Sequence, residues 1–464
     1  MALTNVEFPA YKAALRGWID EAIAKLQGLP NGIVVSSAVR RWGCDEDGVF
    51  RARERPVNAW NSGYRDQLQE LPGWQSVVDA AQGDERISRQ LDTLVGTVQS
   101  ATRVEAIHTG LVVLPSPDEL SRVDDAFDER YVKLEGYLKA DELESATVWP
   151  VPGLTGEPLP VSLEPDIELG MMSNAELSLA LEFAIVRPNF PTQAIFFARP
   201  EDRSCIRYRY RLPKIVGMPD AVDTEASQAL EETADRISSD FEEALATVLP
   251  RPTLTVGRFT YSSSWRPHGY GVTFRSESRN SYFTRHELDQ GQVGEFLDVW
   301  RVLRQPDFQR KNRGLALALR RLSYQAQRER PEDELLDIMI AAEALYLSEA
   351  GNESDRGELK YRLALRAAFW ADAAETDIGR RDIFKLMRTA YDVRSAVAHG
   401  GTPKPKDIKV RGEQVALKEL VNEARHVVAA GCRKAVAAVA SSGGSWPPAW
   451  EDLILPGQGS SAER

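Results

Sequence analysis

Between Glu7 and Gly28 the run AYKAALRGWIDEAIAKL spaces Leu15, Ile19, Ala22, Ile23 and Leu26 three or four apart, the interval that lines one face of an α-helix. Apolar residues recur at the same interval between charges over 59–81, 86–100 and 124–140. Residues 1–140 therefore predict a mainly helical N-terminal region. From Ser145 the run TVWPVPGLTGEPLPVSLEPDIELG brings prolines, glycines and alternating apolar residues, which suit short strands and turns. Further strands are predicted at 193–199, 205–216, 253–263 and 270–274, with helices at 174–183 and 224–249, so 141–305 reads as a mixed α/β domain. After Gln292 only helical periodicity continues, at 292–306, 312–329, 332–350, 357–376, 379–399 and 413–440, punctuated by Pro306, Pro331 and the pair Gly400 and Gly401. The predicted fold class is thus α+β and multidomain: a helical region (1–140), a mixed α/β domain (141–305), an all-α bundle (306–442) and a flexible tail (443–464) around a sticky segment, Trp450 to Leu455.

Length and composition bound the function. A chain of 464 residues with 43% hydrophobic and 27% charged residues holds two to four folded domains and is neither disordered nor fibrous. Three cysteines, Cys44, Cys205 and Cys432, lie too far apart for a disulfide framework or a CxxC metal knuckle. Glu7 and Pro9 stand where a signal peptide needs a basic start and an unbroken apolar core. The most apolar late stretch, Val427 to Ala440, is interrupted by Arg433 and Lys434 and is too short to span a bilayer. A cytoplasmic protein without a membrane partner is expected.

The net charge of −12 argues against indiscriminate binding to nucleic acid, provided the charge is evenly spread. It is not. Residues 310–440 hold 24 basic and 19 acidic side chains, whereas 1–309 hold 32 basic and 47 acidic ones. The densest basic window contains Arg380, Arg381, Lys385, Arg388, Arg394, Lys404, Lys406, Lys409 and Arg411 against three acids. These are candidate RNA-binding residues, with a solvated helix face as the plainer reading.

Inside that window lies RSAVAH, residues 394–399, at the end of an amphipathic helix whose apolar stripe is Ile383, Leu386, Ala390, Val393 and Val397. His399 stands where Gly400 and Gly401 stop the helix. An imidazole there can take a proton from a ribose 2′-hydroxyl or give one to a leaving oxygen, while the guanidinium of Arg394 holds the phosphate and the charge building on it. This chemistry requires no metal and no cofactor, because the nucleophile belongs to the RNA. An arginine four to six residues ahead of a histidine also occurs at Arg103/His108 and Arg279/His286, so spacing alone does not choose among them. No P-loop, HExxH, GxSxG or dinucleotide-binding fingerprint is present.

The surrounding sequence selects the third copy. The run LLDIMIAAEALYLSEAGNESDRGELKYRLALRAAFW, followed by IFKLMRTAYDVRSAVAHGG, resembles the HEPN superfamily, most closely its Apea-like branch, over about residues 305–442. The features that carry the resemblance are the EAL stretch at Glu343 to Leu345, the spaced Arg362 and Arg366, and the final RxxxxHG from Arg394 to Gly400. It implies an all-helical HEPN-like bundle that forms a homodimer, faces two RxxxxH motifs across a shared cleft, and cuts RNA to leave a 2′,3′-cyclic phosphate. By position, Arg394 and His399 would be the catalytic pair. Ser395 departs from the Asn or Asp commoner after the arginine, although a hydroxyl also hydrogen-bonds. Glu343 would orient the arginine or belong to the bundle's polar network. Many relatives act in antiphage defence, abortive infection or toxin systems, in which another domain restrains the nuclease. Residues 1–305 would then sense a trigger or bind a regulatory protein. A noncatalytic HEPN module for dimerisation or for binding RNA or a partner is the alternative, and a plain interaction scaffold the third.

Overall fold

The computed structural model describes residues 6–44, 50–60, 62–88, 124–151, 153–177, 203–213, 224–249, 255, 257–262, 273–276, 286–348, 358–371, 376–442 and 444–455. Helix α1 (Pro9–Gln27) buries Tyr11, Leu15, Trp18, Ile19, Ala22, Ile23 and Leu26. The region expected to be mainly helical then forms a long antiparallel hairpin, β1 (Ile33–Cys44) against β2 (Phe50–Trp60). The β-branched run IVV and the alternating FRARER favour extended chain over a helical stripe. Beyond it come α2 (Arg65–Gln69) and α3 (Pro72–Gln82). One helix expected across 59–81 is broken because Leu71, preceding Pro72, is extended at φ −65°, ψ 140°. Phe127, Tyr131, Leu134 and Leu138 of α4 (Asp124–Lys139) join Trp18, Ile19 and Val77 in a separate N-terminal core.

The central sheet has six antiparallel strands in the order β5-β6-β7-β3-β8-β9. Its members are β3 (Glu142–Pro150), β5 (Val161–Glu164), β6 (Ile167–Met171), β7 (Ser204–Pro213), β8 (Gly257–Ser262) and β9 (Thr273–Ser276), while β4 (Leu154–Thr155) pairs in parallel with β10 (His286–Glu287). Buried Arg207 is held by Glu176 at 2.6 Å and Glu168 at 2.7 Å. The strand expected at 193–199 lies outside the described residues, and the helix expected at 174–183 is described only to 177.

Helix α5 (Thr224–Val248) contacts both sheet and bundle, pairing Asp235 with Arg258 of β8 and Asp240 with Arg304. The bundle comprises α6 (Gln290–Leu303), α7 (Phe308–Lys311), α8 (Arg313–Gln325), α9 (Pro331–Leu347), α10 (Leu359–Trp370), α11 (Arg380–Ala398) and α12 (Leu417–Ser442). Asp289 and Gln292 close a capping box at the start of α6. One buried cluster runs from Trp149 and Ile206 of the sheet through Phe241 of α5 to Leu345 of α9 and Val436 of α12. Sheet and bundle therefore share a core. The carboxyl end of α5 is held by cations from α12: Arg425 donates to the carbonyls of Ala246 and Leu249, and Arg433 to that of Thr247, at the negative pole of the helix dipole.

The stretch 444–455, read from composition as part of a tail, packs on the bundle. Trp446 and Trp450 of α13 (Trp450–Ile454) are buried, and the indole of Trp446 donates to the Leu345 carbonyl at 2.9 Å. Among the described residues no helix is long and apolar enough to cross a membrane. The architecture is mixed α/β, with helices predominating over a six-stranded antiparallel sheet and three two-stranded pairings among the described residues.

Candidate active site

Helix α11 presents three faces. Ile383, Leu386, Met387, Ala390 and Val393 are buried against the bundle, as their spacing predicts. Arg380, Arg381, Lys385 and Arg388 are exposed along its first half. Arg394 and Ser395 are half-buried near its end, and His399 is exposed at the cap.

The helix ends in a Schellman turn. Gly400 N–H donates to the Val397 carbonyl and Gly401 N–H to that of Ala396, each at 2.9 Å. Gly400 sits at φ +75°, and a Cβ on Gly401 would lie 3.0 Å from the Ala396 carbonyl oxygen. Gly400 is therefore favoured by its left-handed backbone and Gly401 by the tight approach of a carbonyl, and together they fix where His399 leaves the helix.

Arg394 Nη2 donates to Glu343 Oε2 of α9 at 3.2 Å. The guanidinium also lies 5.9 Å from the centroid of the Tyr391 ring. Burial raises the Glu343 carboxyl above its ordinary value, and the Arg394 charge pulls the other way. Arg394 Nε is buried without a hydrogen-bond partner, so one strong donor remains unsatisfied. Two of the four residues singled out at the motif, Arg394 and Glu343, thus meet across 51 positions of sequence.

His399 and Ser395 do not join them by hydrogen bonds. Five residues along an α-helix turn a side chain through about 140°, so His399 leaves α11 on a different side from Arg394. Its ring has no hydrogen-bond partner among the described residues, and neither does the Ser395 hydroxyl. Lys404, Lys406, Lys409 and Arg411 are exposed beyond the cap, on a 3-10 turn (Pro405–Asp407) and the small hairpin β11 (Lys409–Val410) and β12 (Glu413–Gln414). The basic residues thus form two groups, one along α11 and one past its end, with Arg394 and His399 between. Arg411 is paired with Glu423 at 3.7 Å.

Of the other arginine–histidine pairs, Arg103, His108 and Arg279 lie outside the described residues, and His286 belongs to β10. Arg366, one of the two spaced arginines of α10, is buried and donates to the Tyr346 carbonyl at 2.8 Å, which makes it a structural tie. Sequence reasoning passed over the rings beside the motif: Tyr361 of α10, and Phe384 and Tyr391 of α11. Their signal was present in the 384, 388, 391, 395 spacing, which traces a second stripe next to the buried one.

No family model matches the chain, and neither does any curated protein or solved structure.

Proposed function

We propose that this protein is a metal-independent HEPN-type endoribonuclease, an antiphage or toxin-like effector restrained by its N-terminal domains. The observation that carries the reading is Arg394 held by Glu343 beside a helix stop that leaves His399 exposed, within a row of basic side chains. In the proposed reaction an imidazole removes the proton of a ribose 2′-hydroxyl. The freed oxygen bonds to phosphorus, the bond to the 5′-oxygen breaks, and that oxygen takes a proton from a second imidazolium. Arg394 offsets the charge that gathers on the phosphoryl oxygens. Glu343 acts as a positioning residue for that guanidinium.

The angular separation of Arg394 and His399 on one helix supports a homodimer in which each motif is completed by a second copy. The fold assignment that accompanies this reading is multidomain: a helical N-terminal region, a mixed α/β regulatory domain taking a trigger or partner protein, and a C-terminal HEPN-like bundle, in a cytoplasmic protein. The alternative is a noncatalytic module that dimerises or binds RNA, a reading favoured by the absence of a hydrogen bond between Arg394 and His399 among the described residues.

Cleavage of RNA by full-length protein, with 2′,3′-cyclic phosphate ends mapped, separates the two. Arg394→Gln and His399→Ala are each expected to reduce cleavage at least about a hundredfold. Unchanged cleavage in both variants refutes the assignment, and His399→Ala that retains the cellular effect while Arg394→Gln loses it favours the binding module.

A further inference from the structure

Beside the candidate site lies a strip of rings and cations that the bundle covers only in part, with Phe384 and Tyr391 resting against its core by one side. Tyr361 of α10 is 50% exposed, and its ring meets that of Phe384 edge-on at 5.5 Å. Phe384 and Tyr391 stand seven residues apart, two turns along one flank of α11, and both are only partly covered. A guanidinium accompanies each: Arg388 lies 5.6 Å from the Phe384 centroid and Arg394 5.9 Å from that of Tyr391. Arg380 stands 5.2 Å from the Phe369 ring in the same way.

Three acids of this region are already matched. Asp392 pairs with Lys360 at 2.5 Å, Asp382 approaches Lys385 at 4.0 Å, and Glu343 meets Arg394 at 3.2 Å. Arg381 and Arg388 have no carboxylate within ion-pair distance among the described residues. The strip therefore offers free positive charge next to partly exposed aromatic rings. An acidic protein would answer the charge and leave the rings unexplained. A nucleic-acid duplex presents phosphates but keeps its base faces inside the stack. Single-stranded nucleic acid supplies both, since bases stack on aromatic rings while phosphates track a basic groove.

We propose that the strip Tyr361–Phe384–Arg388–Tyr391 is a track for single-stranded RNA leading to Arg394. Unpaired bases stack on Tyr361 and Tyr391, and Arg388 and Arg381 hold phosphates. From Phe384 to Arg394 the helix rises about 15 Å, room for a short run of nucleotides. The track rests on the ribonuclease reading for its direction, but its binding chemistry is independent of cleavage.

The test uses full-length protein silenced by His399→Ala and fluorescence anisotropy with three labelled probes of equal length: polyuridine, an abasic ribose-phosphate chain and an RNA duplex. Polyuridine is expected to bind tightest. Tyr361→Ala should weaken it at least about fivefold, and Tyr361→Phe should restore it, because stacking needs the ring and not the hydroxyl. Arg388→Gln should lower the slope of log Kd against log salt by about 0.7, one phosphate contact on a single strand. Equal binding of the abasic chain or the duplex overturns the track, as does unchanged affinity in Tyr361→Ala. Sedimentation showing that Tyr361→Ala converts a dimer to a monomer also overturns it, by assigning the strip to contact between copies. The two readings fail separately. If these affinities hold and the wild-type protein cuts no RNA, the ribonuclease is refuted and the track stands. If the wild type cuts RNA with kcat/KM indifferent to Tyr361→Ala, the reverse is true.

Discussion

His399 is placed by the two glycines that follow it. Gly400 occupies the left-handed region at φ +75°, where a side chain costs about 1 kcal/mol or more. Gly400→Ala is therefore expected to lower unfolding free energy by about 1 kcal/mol and, under the proposed ribonuclease function, to reduce RNA cleavage, because relaxing the turn moves the imidazole. His399→Ala, at an exposed position, should change stability by less than about 0.5 kcal/mol while removing cleavage. Urea denaturation of both variants, read beside their activity, distinguishes a displaced histidine from a missing one. This part of the site was legible in sequence because its causes are local: a helix stripe, then HGG. The pairing of Arg394 with Glu343 joins residues 51 positions apart, and residue spacing left Glu343 with two possible roles. The rings of Tyr361, Phe384 and Tyr391 read as ordinary amphipathic positions, since exposure depends on what the neighbouring helices leave uncovered.

Among the elements, α5 carries the feature least visible in sequence. Its segment SSDFEEALATV carries three acids, yet Asp240 and Glu243 are 1% and 2% exposed. Their partners come from distant helices: Arg304 lies 3.3 Å from Asp240, and Arg320 lies 3.6 Å from Glu243. Arg236 of α5 itself adds a contact to Asp240 at 3.5 Å, and the Ser239 hydroxyl one to Glu243 at 3.2 Å. Burial pushes Asp240 up to about 6 and Glu243 up to about 7, with Asp240 adding to the rise at Glu243 and the arginines opposing it. An acid whose folded pKa exceeds its unfolded one stabilises the fold below the unfolded value and loses that contribution as pH rises through the folded one. Stability is thus expected to decline between about pH 4 and pH 7 through this pair and to level off above. Glu243→Gln should leave Tm near wild type at pH 5, raise it by a few degrees at pH 8, and flatten the slope between. Scanning calorimetry across that range checks it, and a variant that lowers Tm at pH 8 refutes it. Elements bounded by proline or glycine were predicted closely, as with 379–399 against Arg380–Ala398. The hairpin Ile33–Trp60 was missed because its register belongs to two segments together and to neither alone.

Across the whole molecule, the sequence divides by charge and texture near residue 305, while the apolar core does not. One cluster joins Trp149 to Trp450, and a second holds Phe8 to Leu138. A core that crosses the division makes sheet and bundle unfold together, and the polar ties at the crossing decide how firmly. Arg425 is the principal one: 5% exposed, it reaches Gln325 at 3.0 Å and the carbonyls of Ala246 and Leu249. Arg425→Met keeps most of the side-chain volume but leaves these buried acceptors without a donor, at about 1–3 kcal/mol for each. Calorimetry of the wild type is expected to give two transitions, one for each core. The variant should lower the larger transition by several degrees, at about 2–4 °C per kcal/mol, without splitting it, and should leave the N-terminal one in place. Three transitions in the wild type, or a bundle in the variant that melts apart from the sheet, would show that the division in charge is also a division in folding. A single shifted transition means that residues 141–305 are coupled in stability to α11, the helix that carries Arg394 and ends at His399.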